Sequence, residues 1–264
     1  MLRPIEKCFF ARNRDKLSDY KLIYQSQDAH GPVLVLEGDG LRVLSFGDND
    51  EQSKLDIRTP HIPKHSYVQV MLESLMYKSP RSALVLGLGG GALVHALRHA
   101  DGAMKISAVE LRHEVIDVAK RYFFLPVGKK LQLFEGDAKV FLESAEHKRV
   151  DIVYADIYGA DGVDEQQMSP AFIAGALRLL KADGMLVLNC WKEHRDNLAL
   201  QTLLKQEFAE VYASLSSGGN WVIFASRIPG VLREEGLKQA RAELSNRLGF
   251  TVGRASMSFG PWGG

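Results

Sequence analysis

A doubly wound α/β fold with a mostly parallel sheet is the architecture that this 264-residue chain predicts, on three observations. Apolar runs of strand length recur from about residue 83 onward, amphipathic stretches separate them, and a glycine-rich turn follows the first. Apolar strands alternating with helices indicate a parallel sheet covered on both faces. A smaller β-rich region precedes the alternation, so the chain divides into residues 1–60 and residues 61–264.

The elements follow in order. Arg3, Lys7, Arg12, Arg14 and Lys16 read as a solvated basic arm. Residues 21–47, KLIYQSQDAHGPVLVLEGDGLRVLSFG, hold short β-prone runs separated by Gly and Asp, the pattern of antiparallel hairpins. The polar stretch 48–64, with Pro60 and Pro63, reads as a linker or mobile loop. Its His61 and His65 are read as solvated loop residues, not metal ligands. Residues 67–77 carry helical spacing, and strands are expected at 83–86, 105–109, 131–134, 150–155 and 185–188. Helices are expected at 115–122 and 171–180, and 208–214 with 221–225 read as an antiparallel edge. Trp221 is taken as structural, Cys190-Trp191 as core or pocket wall, 236–248 as the last helix, and FGPWGG as a frayed tail.

Composition excludes several classes. Lys plus Arg number 33 against 32 Asp plus Glu, and a net charge of +1 gives no footprint for nucleic acid. Two cysteines far apart, Cys8 and Cys190, match a reduced, cytoplasmic inventory and no metal site. No apolar run approaches the roughly 20 residues of a membrane helix, and MLRPIEKCFFARNR lacks the apolar core of a secretion signal.

Four segments carry chemistry. Gly87-Leu88-Gly89-Gly90-Gly91-Ala92 lies between a strand and a helix, where glycine lets the backbone turn sharply beside a ligand and the helix offers free N–H groups. Glu110 ends the next strand, 19 residues after Gly91, where a carboxylate commonly accepts hydrogen bonds from ribose hydroxyls. Its bland reading is a surface acid paired with Arg112. In Gly136-Asp137-Ala138 the carboxylate meets an adenine amino group or caps the helix that follows, and both can hold. Asp156 follows VDIVYA at a strand's carboxyl end, where such sheets bind ligands, and there it would take a proton from an amine or hold a cation. Asp161, Asp164 and Glu165 read as a solvated loop.

Glycine loop, terminal acid, Gly-Asp-Ala and post-strand aspartate stand in the order found in class I S-adenosylmethionine-binding proteins, and the chain resembles the spermidine synthase family of aminopropyltransferases. LVLGLGGGAL, AVELRHEVIDVAKRYF, FEGDAKVFL, DIVYADIYG and MSPAFIAGALRLLKADGMLVLN carry the resemblance, and the hairpin region is similar to that family's N-terminal β-domain. The resemblance implies a Rossmann-like, methyltransferase-like fold. It implies Gly87, Gly89, Gly90 and Gly91 beneath the donor, Glu110 on its ribose, and Asp137 and Ala138 at its adenine. It places Asp156 at the catalytic aspartate, with Tyr158 beside it, and Tyr67 and Gln69 in the substrate channel. The implied donor is decarboxylated S-adenosylmethionine or S-adenosylmethionine, with no metal. The implied partners are a small amine acceptor and, through the β-region, a second copy in a homodimer.

The departures are specific. Gly90 stands where the family has an aspartate that meets the donor's aminopropyl ammonium; without it, a methionine carboxylate is no longer repelled. Val68-Gln69 replaces His-Glu, and Gly159 replaces a second aspartate. Aminopropyl transfer therefore competes with methyl transfer from S-adenosylmethionine to a small molecule, and with a non-catalytic nucleoside binder. Gly87, Gly89 and Ala92 also satisfy the G-x-G-x-x-A of NAD-linked dehydrogenases, but no clear second mononucleotide half follows.

Overall fold

The computed structural model describes residues 19–47, 50–144, 147–159, 162–232 and 236–263; the basic arm, Cys8 and Asp161 lie outside the described residues. Strands β1 (Lys21–Asp28), β2 (Gly31–Gly38), β3 (Leu41–Ser45) and β4 (Ser53–Asp56) form an antiparallel sheet in chain order. Asp39 and Gly40 join β2 to β3 with φ of 51° and 75°. A two-residue hairpin turn that follows the strand twist requires such left-handed residues, which the Asp-Gly pair supplies. The stretch expected as a linker or loop instead contributes β4, whose Leu55 is buried against the neighbouring helix.

Helices α1 (Ser66–Met71) and α2 (Ser74–Tyr77) replace the single helix expected at 67–77. At the break, Glu73, Leu75 and Met76 donate to carbonyls three residues back, which tightens the path. The alternating part then runs β5 (Ser82–Leu86), α3 (Ala92–Ala100), β6 (Lys105–Glu110), α4 (His113–Tyr122), β7 (Leu131–Glu135), α5 (Ala138–Glu143) and β8 (Val150–Ala155). A short hairpin, β9 (Tyr158–Gly159) with β10 (Gly162–Val163), leads to α6 (Pro170–Leu179) and β11 (Leu180–Trp191). The chain closes with α7 (Leu198–Glu207), β12 (Glu210–Ser216), β13 (Asn220–Ser226), α8 (Leu237–Leu248) and β14 (Ser256–Pro261).

The central sheet has the order β14-β12-β13-β11-β8-β5-β6-β7. Neighbours from β7 to β11 are parallel, and β13, β12 and β14 pair antiparallel beyond them. Among the described residues the parallel run thus ends at β11, with no second mononucleotide half. Side chains alternate between two cores: Val85, Tyr154, Val187 and Phe224 pack toward α3 and α8, while Leu86, Val153, Leu188 and Ile223 pack toward α6 and α7. Each such fully buried side chain contributes about 1.5–3 kcal/mol, and burial on both faces is why these strands read as continuous apolar runs. The tail expected to fray is strand β14 instead. Trp262 is buried edge-on to Trp221, and its indole N–H donates to the Arg195 carbonyl at 2.9 Å. Trp221, buried as expected, therefore lies on the penultimate strand of the chain.

The small sheet docks on α4. Val33, Val35, Leu44 and Leu55 meet Val115, Val118 and Phe123 in a third core. Arg112 forks onto Asp28 with two 2.9 Å bonds and lies over the Phe46 ring, while Glu114 accepts from Tyr24 (2.6 Å) and Ser26 (2.8 Å). The guanidinium of Arg112 serves the docking of the sheet through Asp28, while its positive charge also bears on Glu110.

Candidate active site

Backbone bonds bring the chemical segments into one row at the carboxyl ends of the parallel strands. Gly87 N donates to Val109 O at 2.9 Å, Gly136 N to Glu110 O at 2.9 Å, and Asp156 N to Leu86 O at 2.8 Å. The strand order reverses at β5, between β6 and β8, so the row borders the crevice where open α/β sheets bind ligands. The φ of Gly87 is +92°, and a Cβ there would stand 2.1 Å from the Asp156 carbonyl oxygen. Only glycine lets the two strand ends cross this closely. Gly91, at φ +80°, caps α3 and starts the helix under the loop.

Glu110 is turned onto that loop. Its Oε2 accepts from Leu88 N (3.0 Å) and Gly89 N (3.3 Å), and its Oε1 from Arg112 N (3.1 Å). Burial pushes the carboxyl up, and these three N–H groups oppose the shift. Asp137 Oδ1 accepts from Lys139 N (2.8 Å) and Val140 N (3.0 Å), so the capping role expected for it is present, and Ala138 begins α5.

Gly90 is packed from the small sheet. Its N–H donates to Ser53 Oγ at 2.9 Å, and a Cβ at this position would stand 2.9 Å from both Ser53 Cβ and Phe123 Cδ1. The space that an acidic side chain would need is filled by these two residues.

Asp156 sits at the other end of the row. Asn189 Nδ2 donates to its Oδ1 at 2.8 Å, and the Tyr67 phenol stands close enough to the same carboxylate to help stabilise its charge. Burial pushes the Asp156 carboxyl up to about 6, and Asn189 and Tyr67 oppose the shift. The Tyr67 phenol is driven far up by burial and then by the Asp156 charge, so it remains a neutral donor. Asn189 is fully buried near the end of β11, and its Oδ1 has no hydrogen-bond partner among the described residues. Gln167, also fully buried, donates to the Asn189 carbonyl at 2.8 Å and braces that strand end.

Tyr158, expected beside Asp156 in a catalytic role, stands two residues after it at the start of β9. Asn220 Nδ2 donates to its hydroxyl at 3.1 Å, and its ring lies between Tyr67 (6.4 Å) and Trp191 (6.5 Å). Gln69 donates to Pro63 O at 2.7 Å, which ties it to the segment before α1. His65, expected in a solvated loop, stacks on Tyr67 at 5.5 Å with its Nε2 buried and without a hydrogen bond among the described residues. Among the described residues, no group of three or more His, Cys, Asp or Glu is placed to hold a metal ion.

Ser53, Gln167, Asn189 and Asn220 are the functional neighbours that sequence reasoning missed. Asn189 left one signal, a polar residue inside the apolar run LVLNC.

The row of strand ends, with its glycine turn and post-strand aspartate, agrees with the family model for the spermine/spermidine synthase domain, which matches residues 61–217. The chain belongs to the spermine/spermidine synthase family. The polyamine aminopropyltransferase of Vibrio vulnificus (strain CMCP6) is 24% identical over 236 residues, covering 86% of this chain and 79% of the relative. A probable spermidine synthase from Corynebacterium glutamicum ATCC 13032 shares the fold, with a TM-score of 0.74 at 13% identity over 90% of each chain. Human methyltransferase-like protein 13, solved in complex with SAH, shares it at a TM-score of 0.58 and 19% identity, covering 69% of this chain and 88% of that one. The fold expectation, a mostly parallel α/β sheet preceded by an antiparallel β-sheet, agrees with both.

Proposed function

We propose that the chain is an aminopropyltransferase that moves the aminopropyl group of decarboxylated S-adenosylmethionine to a small amine. The carrying observation is the Asp156 cluster, a carboxyl poised near 6 between Asn189 and Tyr67 beside the glycine loop. A base in this range is ionised at neutral pH and still accepts a proton readily. The neutral amine attacks the donor carbon next to the sulfonium. The C–N bond forms, the C–S bond breaks, and sulfur keeps the electron pair as a thioether. The proton lost by the new ammonium goes to Asp156. Holding amine and donor in line is a large part of the available acceleration.

The strand-end row suits the nucleoside half of the donor. The Gly87–Gly91 turn would lie beneath the sulfonium, Glu110 would hold the ribose and Asp137 with Ala138 the adenine edge. Tyr67 would help hold the amine, and Gln69 would act through the segment it braces. A place in polyamine biosynthesis, a cytoplasmic setting and a homodimer through the four-stranded sheet belong to the same reading. No helix among the described residues is long and apolar enough to cross a membrane.

Gly90 favours a second reading, methyl transfer from S-adenosylmethionine. With Ser53 and Phe123 filling that corner, no acid stands there to repel a methionine carboxylate. Calorimetric titration with each donor separates the two. Tighter binding of the decarboxylated form supports aminopropyl transfer, tighter binding of S-adenosylmethionine replaces it with methyl transfer, and binding of neither removes the nucleoside site.

A further inference from the structure

We infer that Glu51, on the segment leading into β4, is the specificity-determining acid that receives the far ammonium of a diamine acceptor, with His65 as its neutral neighbour. The assignment rests on the transferase reading above and names the part of its site that recognises the substrate's second charge.

Position comes first. Glu51 Oε1 lies 3.8 Å from His65 Nε2, and the His65 ring stacks on the Tyr67 ring at 5.5 Å. The Tyr67 phenol stands against Asp156, so one acid lies at the reacting end and a second beyond the same tyrosine. At positions 69 and 159, where the family carries acids, Gln69 is tied to the Pro63 carbonyl and Gly159 has no side chain. Asp164 Oδ1 accepts from Gln166 N at 2.9 Å and so caps the turn after β10, and Glu165 is exposed on that turn. Glu51 instead reaches the tyrosine from the side of the small sheet.

The chemistry there suits a cation. Lys54 Nζ lies 3.2 Å from Glu51 Oε2 and sits over the Tyr20 ring, which fixes the carboxylate. An ionised carboxylate accepts from several donors, so this bond does not exhaust it. The Glu51 side chain is 30% exposed, open to a ligand yet shielded from much of the screening that a surface acid meets. Burial lowers the pKa of His65, so at neutral pH the imidazole brings no charge to compete for Oε1. Its Nε2 is buried without a hydrogen bond among the described residues, and an acceptor left so costs free energy that one N–H recovers. With the imidazole proton on Nδ1, Oε1 and Nε2 are two acceptors close enough for one ammonium to donate to both.

Two amines of equal chain length decide the matter: 1,4-diaminobutane and n-butylamine, titrated calorimetrically into protein saturated with 5′-methylthioadenosine. Glu51→Gln keeps the size of the side chain and removes its charge. It should weaken the diamine about tenfold while butylamine and the nucleoside stay within twofold, and Glu51→Asp, which keeps the charge, should recover part of that loss. In turnover the diamine KM should rise by a similar factor with kcat within threefold. Unchanged diamine binding, equal losses of both amines, or no diamine binding to the wild type overturns the inference. A larger diamine loss in Asp161→Asn or Asp164→Asn than in Glu51→Gln overturns it too, by placing the far ammonium on the hairpin side. Release of methylthioadenosine from decarboxylated S-adenosylmethionine is followed separately. Diamine binding that depends on Glu51, without release, would strike at the transferase reading and leave the role of Glu51 standing.

Discussion

The two sides of the cleft are built differently. On the side proposed for the donor, Gly87, Glu110 and Asp137 arrive at consecutive strand ends, and backbone N–H groups fix the two acids: Leu88 and Gly89 on Glu110, Lys139 and Val140 on Asp137. On the side proposed for the acceptor, Tyr67 comes from α1, Asp156 from the end of β8, Tyr158 from a hairpin and Asn189 from β11; backbone pairing sets β8 beside β11, and side-chain contacts bring the four groups together. A site held by backbone tolerates substitution around it as long as the turns survive. One held by side chains depends on each member, and a family can change its acceptor by changing few of them. The departures from the family pattern fall on both sides: Gly90 in the glycine loop, and Val68, Gln69 and Gly159 on α1 and the β9–β10 hairpin.

The largest effect that would test this division is at Asp156. Asp156→Asn should fold, retain nucleoside thioether binding and lose turnover by about 10²–10⁴-fold. Wild-type kcat/KM should fall tenfold per unit below pH 6 as the carboxylate takes up a proton, and the variant should lose that limb. Stability moves the other way. The folded state raises this carboxyl, so its contribution is present below about pH 4 and is lost as the pH rises through about 6. Denaturant titration should therefore find the Asn variant gaining on wild type across that window. Full turnover by the variant would place the base elsewhere.

A smaller effect is expected on the donor side. Glu110→Gln keeps an oxygen for the loop N–H groups but weakens a charge-assisted bond to ribose. Nucleoside affinity should drop by about 1–3 kcal/mol, roughly 5- to 150-fold, with amine affinity unchanged. Calorimetry on both ligands reads this directly, and an equal loss for the amine would mean that the two sides are not separable.

The same division explains what the sequence could show. The central strands are apolar on both faces, so their run lengths marked them, and the glycine turn, Glu110, Asp137 and Asp156 each stand beside a strand end that can be found locally. Strand β4 was hidden in polar residues and β14 in Gly, Pro and Trp, because a partner strand and a buried indole decide both. Asn189 and Ser53 reach their partners across 33 and 37 residues, and no local spacing announces such a contact. Tyr158 is legible beside Asp156 from its position, but the partner of its hydroxyl, Asn220, lies 62 residues away.

Ser53 is where the division can be sharpened most finely, because it is the point at which a side chain enters the backbone-held half. Its hydroxyl oxygen accepts the Gly90 N–H, so the small sheet reaches the glycine loop through one bond as well as through the packing on α4. Ser53→Ala leaves a buried N–H without a partner and should cost about 1–3 kcal/mol of stability in urea unfolding. Glu110 still grips Leu88 and Gly89, so the loop's path survives and nucleoside affinity should change by less than fivefold. A nucleoside loss as large as that of Glu110→Gln would instead make the small sheet part of the donor site, and the contrast between the two sides would give way to a single, sheet-wide assembly.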